Sequence, residues 1–464
     1  MLKYYAYTMK YQGIKNELVD ILQRGANMVA RKITLTIAFL LLFEILTACG
    51  TENSPVTKPA ADTVNPEVTT IPFRITWTDY SGRGDAIQKI VSSYNENNSD
   101  GTFISMVGGD EDMDAISALL KSNPETIYVL PYRYVKYFGE QGYLADLTDT
   151  YKDAKALFYP KIWDLGTVNG EVYGIPWLGH SMCLLYNKSL LEKAGVDPGS
   201  ITSLDSLVTA MNTIEEKTDA QGIGLVGANS NDVSWMVNQF IYGYGSSLVS
   251  DDGKTVTVNN EKSRSALDFY KNILGMHAQS TWTNDTGVEV MNYFRDQKVA
   301  FEIQAIWGVT DIQKNGAPFE VGIISLEDIG LCSEVGPMML AVPAGMSDEL
   351  QEKAASFIRF LISKEAQEQI LNGEYSPEHD TYYPFRTPIR IDMADSLIFR
   401  SFPEYLTFIE GFKNPSIDVP VPAWQTIKDE LYAPGLHKVM SGELSIDEFL
   451  NNIETEGNKI LAGQ

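Results

Sequence analysis

The sequence predicts an α/β fold that contains a parallel sheet. From Ile71 onward, short runs rich in β-branched and aromatic residues alternate with segments of helical periodicity. The first five segments read FRITWTDY, GDAIQKIVSSYNEN, TFISMV, MDAISALLKS and ETIYVL, in the order strand, helix, strand, helix, strand. Strands that are joined by a helix pair in parallel, because only a long crossover returns the chain to the same direction.

The individual elements carry local signals of their own. In the first helix, one face follows the i, i+3, i+4, i+7 spacing of buried residues, with Ile87, Ile90, Val91 and Tyr94. Further along, LVSDDGKTVTV predicts a hairpin with an Asp-Gly turn, and NNEKSRSALDFYKNIL predicts a helix capped by one of its two leading asparagines. The segment DELQEKAASFIRFLISKEAQEQIL predicts one long helix, and SIDE at residues 445–448 predicts a capping box before the last helix.

Polar and aromatic residues stand at the carboxyl ends of the three predicted strands. Trp77 and Asp79 end the first strand, Asp110 follows the second, and Tyr132 and Arg133 follow the third. Open α/β sheets bind their ligands at this edge. These residues are therefore candidates for ligand binding, although Asp110 could equally be a helix cap.

The composition excludes several classes of function. The chain has 464 residues, 44% of them hydrophobic, which allows two to three domains with large cores. A net charge of −25 argues against nucleic-acid binding, which needs clusters of Lys and Arg. The four histidines lack metal-ligand spacing, so no metal or cofactor is expected. Three cysteines are too few for a disulfide framework, and Cys183 and Cys332 could either pair or remain thiols.

The N-terminal region predicts an export signal followed by a lipid attachment site. Arg31 and Lys32 precede an apolar run at residues 33–43, which is about half of the roughly 20 residues that span a membrane. The sequence LTAC, which ends at Cys49, resembles the bacterial lipobox and implies cleavage before a lipidated Cys49. The alternative is a core cysteine after a buried helix. Residues 50–70 are rich in Pro, Thr and Ala and predict a flexible tether.

We expect residues 1–48 to be a signal region in which translation starts at Met28. That start gives MVARKITLTIAFLLLFEILTAC, which has the usual length of a signal. The preceding Arg24 and Gly25 can be encoded by a purine-rich ribosome-binding sequence. The alternative is that residues 1–27 form an amphipathic leader.

Two motifs resemble functional sites but depart from them at decisive positions. GHSMC at residues 179–183 is similar to the nucleophile elbow G-x-S-x-G, so a secreted hydrolase that uses Ser181 is an alternative function. However, Cys183 replaces the last glycine, and the following MCLLYN predicts a strand where the elbow needs a helix. DEDMD at residues 110–114 begins like a calcium loop, but Ala115 replaces the required glycine and Lys121 the closing glutamate.

Six stretches resemble, in order, the blocks of one family of binding proteins. They are NGEVYGIPW, LLYNKSLLEKAGVDP, VAFEIQAIWGVTDI, KAASFIRFLISKEAQEQIL, YYPFRTPIR and VPVPAWQTIKDELYAPGLHKVMSGELSIDEFL. Behind a lipobox, this order resembles the extracellular solute-binding proteins of ATP-driven importers, specifically the sugar-binding family 1 that includes maltose-binding proteins. The resemblance extends from about Ile71 to the end of the chain.

This resemblance implies two discontinuous α/β lobes, joined by crossover strands, that close around a ligand in the cleft between them. Lobe one would span residues 71–179 plus 343–405, and lobe two residues 183–338 plus 410–464. The implied function is that of a monomeric lipoprotein, held by Cys49 at the extracytoplasmic face of the bacterial membrane. It would deliver a mono- or oligosaccharide to the permease of an ABC transporter, without catalytic activity. A peptide or a polyamine is the alternative ligand.

Sugar chemistry and the resemblance together select the candidate ligand-binding residues. Aromatic rings match the apolar face of a sugar, while carboxylates, amides and arginine match its hydroxyls. The resemblance implies that aromatic rings reach the cleft at the crossover, after the strand VAFEIQ and in the C-terminal segment, although each could be a core residue. The full set is Trp77, Asp79, Asp110, Tyr132, Arg133, Trp177, His180, Trp307 and Trp424. Around Tyr132 and Arg133 this sequence departs from the pattern of maltose-binding proteins, in which an acid is expected at that place. The resemblance therefore does not imply that the ligand is a maltodextrin.

Overall fold

Two β-sheets, each covered by helices, organise the protein. The structure is a computed structural model, and it describes residues 68–75, 83–109, 113–371, 373–376, 378–384 and 386–463. Four predicted functional residues, Cys49, Trp77, Asp79 and Asp110, lie outside the described residues. The predicted signal region and residues 50–67 of the predicted tether also lie outside them.

The strands of the described part form five sheets. In chain order they are β1 (Thr69–Ile75), β2 (Thr102–Gly108), β3 (Ile127–Pro131), β4 (Thr167–Val168), β5 (Glu171–Val172), β6 (Ile175–Gly179), β7 (Cys183–Asn187), β8 (Gln221–Gly224), β9 (Val299–Gln304), β10 (Val321–Ile324), β11 (Ser333–Glu334), β12 (Met338–Ala341), β13 (Glu374–Ser376), β14 (Thr381–Tyr383), β15 (Thr387–Pro388) and β16 (Pro415–Ser416).

The helices cover both faces of the large sheets. In chain order they are α1 (Arg83–Asn97), α2 (Met113–Ser122), α3 (Tyr132–Glu140), α4 (Thr148–Tyr151), α5 (Pro160–Asp164), α6 (Lys188–Ala194), α7 (Leu204–Lys217), α8 (Asn231–Gly243), α9 (Glu261–Asp268), α10 (Gly287–Arg295), α11 (Ile306–Lys314), α12 (Asp348–Leu361), α13 (Lys364–Leu371), α14 (Leu397–Ser401), α15 (Leu406–Glu410), α16 (Pro422–Ile427), α17 (Ala433–Ser441) and α18 (Ile446–Ala462). Two π-helical turns, Phe269–Ile273 and Lys428–Tyr432, continue α9 and α16.

The larger sheet has six strands in the order β15-β6-β12-β3-β1-β2. Strand β1 pairs in parallel with both β2 and β3, which confirms the parallel sheet predicted from the strand and helix alternation. Strand β12 is antiparallel to β3 and to β6, and it enters the sheet from a distant part of the chain. The first residue of β1 is Thr69, so the first two residues of the strand belong to the predicted tether.

The smaller sheet has four strands in the order β10-β7-β9-β8, with β8 and β9 parallel and the other pairs antiparallel. The chain passes from the larger to the smaller sheet between β6 and β7, and returns between β11 and β12. A third connection contains β16, which pairs in parallel with β11. The four strands of the smaller sheet lie within predicted lobe two, but β12 of the larger sheet (Met338–Ala341) lies outside the ranges predicted for lobe one, and the lobe boundaries remain a prediction. Phe399 and Tyr405, assigned to lobe one, pack with Leu185 and Phe294 of the smaller sheet's side.

The local predictions are largely confirmed, with one clear correction. Asn260 caps α9 by accepting hydrogen bonds from two backbone amides, and Ser445 and Glu448 form the predicted capping box of α18. The hairpin at residues 249–256 consists of an isolated bridge around its Asp-Gly turn. The long helix predicted at residues 348–371 is wrong, because Ser363 ends it and caps a second helix by accepting the amide of Ala366.

Each large sheet has its own hydrophobic core. In the larger one, the ring of Phe73 packs edge-on against Trp177 and Phe357, with centroids 5.6 and 5.1 Å away. In the smaller one, Tyr432 contacts Trp424 and Phe449, with centroids 5.4 and 5.7 Å away. Within the described ranges, none of the helices has the length and apolar character needed to cross a membrane.

Candidate functional site

A cavity of about 360 Å³ lies where elements of the two large sheets meet. On the side of the larger sheet it is lined by the end of β3, the first turn of α3 and the start of β12. On the other side it is lined by α8, α10, the end of β9 and α11. The crossover segments around residues 180–182 and 334–337 also line it. We call this the cleft cavity.

The two crossover segments are joined to each other beside the cavity. Ser181 and Val335 form an antiparallel bridge, and the amide of Gly336 donates to the carbonyl of His180 at 3.1 Å. The imidazole Nε2 of His180 lies 2.8 Å from the carboxylate Oε2 of Glu334. A glycine is needed at position 336, because a Cβ there would lie 2.1 Å from the imidazole. The backbone contacts between the two crossover segments therefore hold His180 and Glu334 beside each other.

Tyr132 connects the larger sheet to the C-terminal segment. Its hydroxyl accepts a hydrogen bond from the amide of Asp418 at 2.6 Å and lies 3.3 Å from the carbonyl of the same residue. The ring is buried, and this burial, together with the charge of Asp418, holds the pKa of the Tyr132 hydroxyl well above its usual value. The hydroxyl is therefore a neutral hydrogen-bonding group.

The carboxylate of Asp418 is itself fixed by a buried network. Lys428 Nζ donates to Oδ2 at 2.6 Å, and the indole nitrogen of Trp424 donates to Oδ1 at 2.9 Å. The side chains of Asp418 and Lys428 are 6% and 3% exposed, so their charges are compensated by each other inside the protein. Asp418 lines the cleft cavity, and both of its carboxylate oxygens are held by these donors.

Trp307 stands in the first turn of α11, directly after the buried strand β9. Its indole is partly exposed in the cavity, with the ring of His180 edge-on at a centroid distance of 5.0 Å. The guanidinium carbon of Arg386 lies 5.0 Å from the indole centroid. Gln304, the last residue of β9, also lines the cavity.

Helix α8 contributes an acid and a second indole. Asp232 accepts a hydrogen bond from the amide of Gly287 at 3.0 Å, which connects the starts of α8 and α10. Trp235 lies one turn further along α8, and Lys428 Nζ is 5.9 Å from its ring centroid. The cavity thus combines two indole rings with carboxylates whose orientations are set by neighbouring donors.

The structure brings four of the predicted site residues together. Tyr132, Arg133, His180 and Trp307 all line the cleft cavity. Trp77, Asp79 and Asp110 lie outside the described residues, so their part in a site stays a prediction.

Trp177 and Trp424 are placed in the cores, which corrects the expectation of indole rings that face ligand. Both side chains are fully buried. Trp177 packs against Phe73, and Trp424 packs against Tyr432. Large apolar rings on inward-facing positions of strand and helix gain more from core burial than from a cleft position. Trp424 still acts on the cavity indirectly, through its hydrogen bond to Asp418.

Ser181 lacks the surroundings of a catalytic nucleophile. Its side chain is fully buried and its hydroxyl donates to the carbonyl of Phe408. The strand β7 follows it, as the sequence predicted, in place of the helix of a nucleophile elbow. The two described cysteines, Cys183 and Cys332, are free buried thiols, and burial raises the pKa of both. Among the described residues, no group of His, Cys, Asp and Glu could hold a metal ion.

Sequence reasoning missed most of the polar residues of the cavity. Glu334 ends β11 and Asp418 lies two residues after β16, and strands of two residues leave no periodic signal. Asp232 reads as an ordinary acidic first turn of a helix. The sequence shows that residue 235 is a tryptophan, but no pattern places this tryptophan in the ligand site. Arg386 lies in the stretch YYPFRTPIR, which carried part of the family resemblance and could have pointed to it.

Comparison with known families decides the class of protein. A family model described as bacterial extracellular solute-binding protein matches residues 89–383, which is well over half of the chain. The chain belongs to this family. The resemblance found in the sequence is therefore confirmed, and the solute-binding protein is assigned to an extracellular class by its family description.

Individual relatives of this solute-binding protein are distant. A probable ABC transporter-binding protein of Deinococcus radiodurans is 24% identical over 300 residues, 61% of this chain and 70% of the relative. The diacetylchitobiose binding protein DasA of Streptomyces coelicolor is 25% identical over 262 residues. That second match covers 53% of this chain and 58% of the relative.

Solved structures confirm the fold of the solute-binding protein. The sugar-binding protein MalE from Xanthomonas citri has a TM-score of 0.72 and 18% identity, and the match covers 85% of this chain and 98% of the other. A cyclic alpha-maltosyl-1,6-maltose binding protein from Arthrobacter globiformis has a TM-score of 0.69 and 20% identity, over 85% and 100% of the two chains. The predicted α/β architecture of a periplasmic-type binding protein is therefore confirmed.

Proposed function

We propose that this solute-binding protein captures a carbohydrate in the cleft cavity and delivers it to the permease of an ABC transporter. The protein binds and releases the sugar unchanged and has no catalytic activity. It works as a monomer at the outer face of the bacterial membrane, where the lipid on Cys49 holds it by a tether.

The observation that carries the proposal is the composition of the cleft cavity. Trp307 and Trp235 offer ring faces that match the C–H face of a sugar. Asp418, Glu334 and Arg386 offer charged hydrogen-bonding groups that match its hydroxyls. The cavity lies between elements of both large sheets, so a bound ligand contacts both and favours the closed arrangement.

The names of the relatives support a carbohydrate ligand. The Streptomyces coelicolor relative is named for a chitobiose derivative, and the solved structures named above are those of sugar-binding and maltosyl-maltose binding proteins. The Deinococcus relative is named a probable ABC transporter-binding protein, which supports the permease as partner.

The lipid anchor rests on the N-terminal sequence. The lipobox-like LTAC ends at Cys49, and residues 50–67 precede the first described strand. A diacylglyceryl group on Cys49 would hold the protein at the membrane while the described part of the chain remains in water.

Calorimetric titration of the purified protein tests the proposal. The panel contains mono-, di- and trisaccharides together with spermidine and short peptides, which represent the alternative ligands. Saturable binding of a sugar is expected, with a rise of melting temperature that follows ligand concentration. Binding of spermidine or of a peptide without binding of any sugar would overturn the proposal.

A further inference from the structure

Resting on the proposed function, we infer that the preferred ligand is a small neutral sugar that carries an apolar substituent, such as an alkyl, acyl or aryl group. The sugar ring occupies the polar part of the cleft cavity, and the substituent lies against an apolar wall of methionine, valine and indole side chains.

The first observation is the methionine content of the wall. Four of the 15 methionines of the chain line this one cavity, namely Met182, Met236, Met291 and Met338. Three come from α8, α10 and β12, on both sides of the cleft, and Met182 comes from the crossover segment between β6 and β7. Methionine side chains are flexible and polarisable, so they adapt to apolar groups of different shape and contact aromatic rings favourably. A ligand that consists only of hydroxylated rings would gain little binding free energy from contact with such a wall.

The second observation is an exposed apolar residue at the start of α10. Val288 is 64% exposed, although it is a large aliphatic side chain, and it lines the cavity together with Met291 one turn further along the helix. Trp235 and Trp307 line the same side of the cavity. Exposed apolar residues that form a continuous patch with a cavity mark a binding surface. Burial of this patch against an apolar substituent removes apolar area from water and therefore favours binding.

The third observation concerns the acids of the cavity, which already have partners. Glu334 lies 2.8 Å from the imidazole of His180, and Asp232 accepts the amide of Gly287. These contacts use part of the acceptor capacity that a polyhydroxylated ligand would need. Because an exchanged hydrogen bond adds little net free energy, a ligand gains more from the apolar wall than from replacing these contacts.

Charge balance explains why the ligand is neutral. Asp418 is compensated by Lys428 at 2.6 Å, so this acid offers no unbalanced charge to a cation. The remaining acids, Asp232 and Glu334, share the cavity with Arg133 and Arg386. Among the described residues that line the cavity, these two acids and two arginines balance, so this part of the lining has no net charge to attract an ion of either sign.

The volume limits the size of the ligand. At about 360 Å³, the cavity lies near the lower end of the roughly 300–1,000 Å³ that is typical of small-molecule sites. A monosaccharide or disaccharide with one substituent is of this size, whereas a longer oligosaccharide would project from the cavity.

Matched pairs of ligands test the inference on the purified protein. Each pair consists of a free sugar and its phenyl or methyl glycoside, across common hexoses, pentoses, 2-acetamido sugars and their disaccharides. Calorimetry should show at least tenfold tighter binding of the substituted member in the pairs that bind. Equal or weaker binding of the substituted member in every binding pair would overturn the inference and leave the proposed sugar-binding function intact. Failure of all carbohydrates to bind would overturn both.

A variant locates the substituent. Met291→Gln keeps the length of the side chain and makes the wall polar, so the affinity ratio between the two members of a pair should fall by about five- to tenfold. The matched control is Met276→Gln, because Met276 is 69% exposed and is not among the residues of the cavity. An unchanged ratio in Met291→Gln, with a control that behaves like the wild type, would show that the substituent does not lie on this wall and would overturn the inference.

Discussion

The hydroxyl of Tyr132, at the start of α3, lies 2.6 Å from the amide nitrogen of Asp418, which follows β16. This contact spans 286 positions of the sequence and joins the carboxyl end of β3 to the segment that carries the buried pair of Asp418 and Lys428. One hydroxyl thereby connects the larger sheet to the C-terminal helices at the wall of the cleft cavity.

Tyr132→Phe should therefore weaken both the fold and ligand binding. Removal of the hydroxyl leaves the buried amide of Asp418 without its acceptor, which costs about 1–3 kcal/mol. We expect a lower melting temperature by calorimetry and weaker binding of the best sugar of the panel. The matched control is Tyr137→Phe, on the same helix, whose ring is half-buried. Equal stability of the two variants would contradict a structural role for the contact.

Trp307→Ala should affect binding more than stability. The partly exposed indole lines the cavity, so its removal should cost about 1–3 kcal/mol of binding free energy, a loss of affinity of roughly ten- to a hundredfold. Titration with the tightest sugar of the panel measures this loss. A large fall of the melting temperature without ligand, at unchanged affinity, would instead make Trp307 a core residue.

Trp177→Ala should give the opposite result. This side chain is fully buried against Phe73, and truncation of a buried aromatic residue costs about 3–5 kcal/mol of unfolding free energy. Chemical denaturation should show a lower midpoint, while the protein that remains folded binds sugar with unchanged affinity. A loss of affinity without a loss of stability would instead show that Trp177 contacts the ligand in the cleft.

Glu302 should make stability depend on pH. This carboxyl on β9 is fully buried, and its burial together with the charge of Asp311, opposed by Arg295, raises its pKa to about 8. Between the ordinary value of 4.5 and about 8, the folded protein retains a proton that the unfolded chain has lost. The unfolding free energy should therefore fall as the pH rises through this window. Glu302→Gln should reduce the fall in melting temperature between about pH 5 and about pH 8, whereas Glu192→Gln at an exposed site should not.

Cys49→Ser should release the protein from the membrane or block its maturation. Serine has no thiol for attachment of a diacylglyceryl group, and this step precedes cleavage of a lipoprotein signal. Fractionation of cells that express the variant measures the distribution between membrane and soluble fractions. If the variant remains in the membrane fraction at the wild-type level, another anchor holds the protein.

Much of the fold could be predicted from sequence because its elements are locally encoded. The periodic face of α1, with Ile87, Ile90, Val91 and Tyr94 buried, and the caps at Asn260 and Ser445 agree with the structure. The break at Ser363 was missed, because a serine inside a helical pattern is compatible both with a continuous helix and with a new cap. The choice between a continuous helix and a new cap depends on tertiary contacts, which the local sequence does not reveal.

The cavity was predicted only in part, for a different reason. Tyr132 could be found because it stands directly after a recognisable strand, and His180 because the family resemblance places it beside the crossover. Glu334 and Asp418 are brought to the cavity by β11 and β16, whose pairing joins residues about 80 positions apart. Trp177 and Trp424 were misplaced because residue type alone does not distinguish a ring that faces a cavity from one that faces a core. The distinction depends on the packing of neighbours that are distant in sequence.

The position of β12 between β3 and β6 has a consequence for the order in which the protein can fold during synthesis. The larger sheet joins Thr69 to Ala341, so about 270 residues must be made after its first strand before its central strand exists. At ribosomal speeds of about 5–20 residues per second, synthesis of these residues takes roughly 15–50 s, and during this time β3 lacks its antiparallel partner β12. Until then the nascent chain cannot complete the sheet, and it stays open to chaperones and to any machinery that threads an extended polypeptide.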